Sequence, residues 1–482
     1  MSSDTVSASA GELRRNVLGV PQIVFFVIAA AAPLTAVVGV TPAAFMLGNG
    51  PGVPGTFLLV GVLYLLFSAG FTAMSGFVGN AGGFYSFVVA GLGPAVGVAG
   101  ALIALATYTA VDVAVFGLFG FFVNDIVRSA GGPDVAWWVY CIGLALVVYV
   151  CGIRSIEFSG RVLGLCMIAE ITILLLLGLA VLLTADAARP IAFAPFGIEA
   201  IATPGLGLAL VFVVSAFIGF EATAIFGEEA RDPKRTIPRS TYIAVSVIAV
   251  FYAFTTWTIS LYYGPAHIQD QAEAHTATLY LDAVKALLGR PAGVVMNLLL
   301  IASLFACALS FHNTINRYLF AIGREGLMWR RLGETHLHHQ SPAFAGAVQT
   351  ASVLGLVAIF ALADSDPYTG VFAWAGTFGA LGILMLQILV SLAVVVFFWR
   401  DDRGVGLWQR LVAPSLAALG LAVSLVLMST HLDLVSGSRS RFVQSFPEML
   451  LAIGFGGIGL AAWTRVRKPA VYAALGRAPG SP

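Results

Sequence analysis

Four ionisable side chains stand inside apolar stretches where a charge is costly: Asp112 in YTAVDVAVFG, Glu170 in LCMIAEITILLLLG, Glu221 in SAFIGFEA and His312 in SFHNTINRY. A charged group deep in a bilayer costs at least about 2.5 kcal/mol on insertion scales, so each is a candidate for chemistry. A carboxyl in such a setting can take and release a proton, which suits Glu170; the alternative is a carboxylate facing a water-filled vestibule or paired with a basic neighbour. Glu221, two residues past Gly219, is either a gating or protonatable group or an acceptor for backbone N–H groups freed nearby. Asp112 can attract an ammonium, with Tyr108 one turn earlier lining the same space; equally, Asp112 can be solvated at an outer mouth while Tyr108 only packs. His312 is a candidate proton relay or a partner in a gate hydrogen bond on the cytosolic side.

The elements that must hold these groups follow from composition. The 482 residues are 59% hydrophobic and 10% charged, with 96 consecutive residues, Asn16 to Val111, free of Asp, Glu, Lys and Arg. Soluble domains are about 25% charged, so the chain is a polytopic helical membrane protein. Apolar stretches lie near 21–47, 54–78, 95–124, 135–153, 160–184, 204–228, 240–264, 290–322, 343–363, 368–399, 408–430 and 443–464. Twelve spans put both ends on one side. Arg128, Arg189, Lys285, Arg290, Arg439 and Arg441 then fall on the other side, leaving 19 of the 25 Lys and Arg with the termini, so the positive-inside rule expects both ends in the cytosol. The polar N-terminus lacks the layout of a signal peptide and reads as a retained tail. Cys141, Cys151, Cys166 and Cys307 lie in or beside spans without a C-x-x-C pair and read as small buried hydrophobes. His336, His338 and His339 lack an acid or Cys to complete a metal site. No metal or cofactor is expected, and the net charge of +1 points to no nucleic-acid partner. No catalytic constellation such as H-E-x-x-H is present and no P-loop, which disfavours an enzyme and primary transport.

Two spans carry helix breakers. In AAAAPLTAVVGVTP, residues 29–42, Pro33 cannot donate to the ladder and its ring clashes with the preceding turn, so an interruption is expected near 32–36. In SAFIGFEA, residues 215–222, Gly219 can take conformations that other residues resist. The two lie five spans apart, the spacing of discontinuous helices in inverted-repeat transporters; simple packing kinks are the other reading. A helix restarting after Pro33 would present N–H groups, and one ending near Gly219 would present carbonyls. Together they suit the carboxylate and ammonium of a small zwitterion.

The stretch SAFIGFEATAIFGEEARDPKRTIPRS (215–240) resembles the sixth-helix signature of the amino acid–polyamine–organocation permeases, with Glu229, Pro233, Lys234, Arg235 and Pro238 matching its cytosolic part. GNAGGFYSFVVAGLGPAVG (79–97) is similar to that family's Gly-rich segment between helices 2 and 3. SFHNTINRYLFAIGREGLMW (310–329) resembles the end of helix 8 through Arg317, Gly323, Arg324 and Gly326. The resemblance spans roughly 21–400. It implies an all-α membrane protein of about twelve transmembrane helices in a LeuT-type 5+5 inverted repeat plus two C-terminal helices. The boundaries expected are a tail at 1–20, repeats at 21–184 and 204–399, peripheral helices at 408–464 and a tail at 465–482.

The same resemblance implies a secondary transporter of amino acids working by alternating access in the cell membrane, with proton symport preferred and no obligate protein partner. It places substrate at Pro33, Leu34, Thr35, Ala36 and Val37 and at Ser215, Ala216, Phe217, Ile218 and Gly219. Glu170 falls where some proton-coupled relatives carry a lysine. Two departures bear on substrate. Pro-Leu-Thr-Ala replaces a Gly-Ser-Gly-like break and is closer to a branch that includes putrescine importers. Ser215 replaces an aromatic gate, which leaves room for a larger or differently shaped side chain. A diamine importer, an exchanger and a nutrient sensor without flux are the competing functions.

Overall fold

A peptide in hydrocarbon must satisfy its own N–H and C=O groups, and the helix does so within one segment. The computed structural model describes residues 18–78, 83–154, 156–186, 190–221, 223, 230–335, 341–435 and 440–476. Among them the only β-type pairing is one isolated bridge, Leu18 with Ala230. The helices that position the site are α1 (Val20–Ala31), α2 (Thr35–Leu47, its first six residues π-helical), α3 (Val53–Ser75), α4 (Phe84–Leu92), α5 (Pro94–Ser129), α6 (Trp137–Arg154) and α7 (Ile156–Leu183). They continue with α8 (Leu206–Phe217), α9 (Pro233–Tyr263), α10 (Arg290–Arg324), α11 (Ala343–Leu362), α12 (Ala373–Arg400), α13 (Ala413–Ser429) and α14 (Phe446–Arg467). Among the described residues nine helices are long and apolar enough to cross a membrane: α3, α5, α7 and α9 to α14. Shorter apolar helices occupy the expected first, fourth and sixth spans.

The sequence pattern did not anticipate α4, which is only nine residues long and bounded by Gly83 and Gly93 at positive φ. Glu229, His336, His338, His339, residues 79–82 of the Gly-rich stretch, and the tails before 18 and after 476 lie outside the described residues.

Lipid offers no hydrophobic drive between apolar helices, so close contact through small residues holds the bundle. Gly61 of α3 faces Ala249 of α9, and a Cβ on Gly457 of α14 would lie 2.5 Å from the Ala99 Cα of α5. On α4, a Cβ at Gly91 would lie 2.3 Å from the Ala393 carbonyl oxygen of α12. Gly323, near the end of α10, approaches the Gly333 backbone in the same way, which gives that glycine of the 310–329 stretch a packing reason. The outer faces are apolar too: Leu58, Leu59 and Val62 of α3 and Leu175, Leu176 and Leu179 of α7 are exposed. α5 runs through the middle of the bundle, packing against α4, α6, α10, α12 and α14.

Candidate functional site

The first interruption is where the sequence expects it. α1 stops at Ala31, and Ala32 takes a left-handed φ of 44°. The cause is local, since a following proline disfavours the right-handed helical region for the residue before it. The freed groups do not stay open. Leu34 N–H donates to Glu170 Oε2 at 3.2 Å, and Thr35 N–H donates to Ser303 Oγ at 3.2 Å. Ser303 spends its own proton on Glu170 Oε2 at 2.8 Å and accepts from Thr35 Oγ1 at 3.2 Å. On the α1 side, Tyr252 Oη–H donates to the Ala31 carbonyl at 3.2 Å.

The expectation of open N–H groups at Leu34 and Thr35 is therefore corrected: a carboxylate of the protein, Glu170, already sits at the start of the second half-helix, where the helix dipole favours an anion. Glu170 is buried, so an open vestibule does not describe its setting.

The second interruption follows Phe217. Ile218 N–H turns back to the Ser215 carbonyl at 3.2 Å, and Gly219, at φ 113°, donates its N–H to Glu221 Oε2 at 2.9 Å. The ladder donors of the last turn of α8 are thus diverted. Glu221 Oε1 accepts from Tyr108 Oη–H at 2.7 Å, so this one carboxylate joins the end of α8 to α5. It is an acceptor for a backbone N–H freed at the interruption.

Between the two interruptions lies a cavity with about 60 Å³ of room for the centre of a water-sized sphere. Ala31, Thr35 and Ala36 border it on one side and Ser215, Ala216 and Ile218 on the other, with α5, α10 and α12 closing the walls. No charged side chain lines it. Of its hydroxyls, Ser215 donates to the Val211 carbonyl at 2.7 Å and Thr377 to the Ala373 carbonyl at 2.6 Å. What remains to meet a polar ligand is mostly main chain.

Several expected residues lie elsewhere. Pro33, Leu34, Val37, Phe217 and Gly219 do not line the cavity; Phe217 packs on Tyr64 and Phe57, with ring centroids 5.1 and 6.3 Å away. Tyr108 lies beside Phe311 and Tyr318 rather than in the cavity wall. Asp112 is buried, not at a solvated mouth: Gln349 Nε2 of α11 donates to its Oδ2 at 3.1 Å, and Oδ1 has no partner. His312 is buried where a Cβ on Gly152 or Gly346 would come within 3.2 or 3.5 Å of its Nε2, and that nitrogen makes no hydrogen bond.

Ser303, Gln349, Phe212 and Phe372 carried no signal in the sequence. The two phenylalanines line the cavity with centroids 6.4 Å apart, Phe212 one turn before Ser215 on α8 and Phe372 just before α12.

A family model described as "Amino acid permease" matches residues 22–467. The chain belongs to the amino acid permease family. It is therefore a multi-pass membrane protein of a permease family. Relatives are distant. The permease is 25% identical over 210 residues to human cationic amino acid transporter 4, covering 44% of this chain and 30% of that one. It is 22% identical over 297 residues to the low-affinity putrescine importer PlaP of Escherichia coli, covering 60% and 62%. With the amino-acid permease RocE of Bacillus subtilis it shares 27% over 228 residues, 46% of each. The matches span less than two thirds of the length of these relatives.

Proposed function

We propose that this permease is a secondary active transporter of amino acids in the cell membrane, working by alternating access around the two interrupted helices. One observation carries the reading: the cavity borders both interruptions, Ala31 to Ala36 on one side and Ser215 to Ile218 on the other. A zwitterion there meets last-turn carbonyls at its ammonium, and its carboxylate takes the start of the second half-helix only as Glu170 and Ser303 release the N–H groups of Leu34 and Thr35. Residues 21–184 and 204–399 are read as inverted repeats, with 408–464 peripheral and both termini cytosolic.

Proton coupling is assigned to Glu170. Its carboxylate holds Leu34 directly and Thr35 through Ser303, so gaining a proton changes what it can accept at the edge of the cavity. Glu221 and Tyr108 form the tie between α8 and α5 that must part when the site opens inward. The cavity's lack of any carboxylate favours an amino acid over a diamine.

The test is flux into proteoliposomes of the purified full chain under an imposed pH gradient. One pH unit supports up to about tenfold accumulation at one proton per substrate. Wild type is expected to accumulate labelled amino acid, and Glu170→Gln to lose accumulation while still exchanging substrate across the membrane. Accumulation by Glu170→Gln at the wild-type ratio would refute the coupling role. Saturable binding without flux would make the protein a sensor.

A further inference from the structure

We infer that the cavity selects a zwitterion with a small, uncharged, apolar side chain, and that Gly376 sets the size limit. The inference rests on the proposed transport reading and specifies its substrate. With the two interruptions taken by the carboxylate and ammonium, the side chain meets the remaining walls, Val111, Ala114 and Val115 of α5, Cys307 and Phe311 of α10, and Gly376 of α12. Those walls are apolar. The acids of the interior are turned to other tasks: Asp112 to Gln349, Glu170 to Leu34 and Ser303, Glu221 to Gly219 and Tyr108. None lines the cavity.

A second ammonium would give up its hydration with no carboxylate in the cavity lining to replace it, which is costly in a buried site. An uncharged side chain that must accept a hydrogen bond fares poorly as well, because the hydroxyls of Thr35, Ser215 and Thr377 already donate to Ser303, Val211 and Ala373.

Size follows from the volume. The cavity is small, with about 60 Å³ of room for the centre of a water-sized sphere, which favours a short side chain. Gly376 is the position where that room can be changed without disturbing the fold. A Cβ added there lies 3.8 Å from Phe372 Cε2 and 3.9 Å from Ala114 Cβ, ordinary contacts, so a methyl enters the cavity without a clash. Alanine is also the better helix former. Ala114 faces it from α5, so Ala114→Gly makes the opposite change.

The experiment uses the full chain in proteoliposomes with alanine, valine, lysine and putrescine as probes, and measures ligand-induced melting shifts in detergent alongside. Alanine is expected to be moved saturably, and lysine or putrescine in about hundredfold excess to reduce its uptake less than twofold. Gly376→Ala is expected to raise the ratio of KM for valine to KM for alanine by about tenfold, and Ala114→Gly to lower it. Lysine or putrescine moved as well as alanine overturns the charge selection while leaving transport intact. An unchanged ratio in both variants overturns the role of Gly376. If no probe is either bound or moved, the transport reading falls and this inference with it.

Discussion

Glu170, Glu221 and Asp112 each take a hydrogen bond from a different helix, and that pairing separates roles the sequence leaves alike. Glu221 is the clearest case, because Tyr108 Oη–H and Gly219 N–H both end on it. Tyr108→Phe removes one of these bonds, worth about 1 kcal/mol, which shifts a two-state equilibrium about fivefold. The expected result is faster alkylation of Cys307, which lines the cavity, by a maleimide added from the cytosolic side; an unchanged rate would mean the tie does not hold the inner closure.

Glu325, just beyond α10, offers a pH test outside the membrane. Burial pushes its carboxyl above the ordinary range, partly offset by hydrogen bonds from Tyr85 Oη–H and Gly476 N–H. The folded chain therefore keeps this proton to higher pH than the unfolded chain. The group's stabilising contribution is full below the ordinary carboxylate range and is lost as pH rises through the raised value. Glu325→Gln should flatten the fall of melting temperature across that window, and an identical pH profile would count against this assignment.

At the scale of the element, the two interruptions are built differently, and their variants should respond with opposite signs. Ala32, just before Pro33, holds a left-handed φ, a conformation that costs an L-residue about 1–2 kcal/mol. Ala32→Gly should recover up to about 1 kcal/mol and raise the melting temperature, whereas Gly219→Ala, at φ 113°, should lose at least about 1 kcal/mol and weaken substrate binding. Equal shifts in both would mean that the strain is not where the backbone places it. The breaks were legible because Pro33 and Gly219 act on their own chain. α4 was not, since nine residues between glycines give no long apolar period, and its burial depends on α5 and α12.

For the molecule as a whole, the 19-to-6 division of Lys and Arg predicts both termini in the cytosol. In a variant lacking native cysteines, Ser438→Cys should react with an impermeant maleimide in intact cells, and Ser9→Cys only after the membrane is opened. The reverse pattern would invert the topology. Composition alone determined that the chain is a helical membrane protein, because apolar runs of this length leave no other way to satisfy the backbone. The local sequence also determined where two helices break, because Pro33 removes a ladder donor and clashes with the preceding turn while Gly219 permits a φ that other residues resist. Only the tertiary structure decided which groups the breaks meet. That Glu170 and Ser303 close the first break, that Asp112 turns to Gln349 and away from the cavity, and that Phe212, Phe372 and Gly376 shape its wall all depend on helices far apart in sequence. A side chain's partner across a helix interface is set by the rotation and depth of both helices, and no spacing along one segment encodes that.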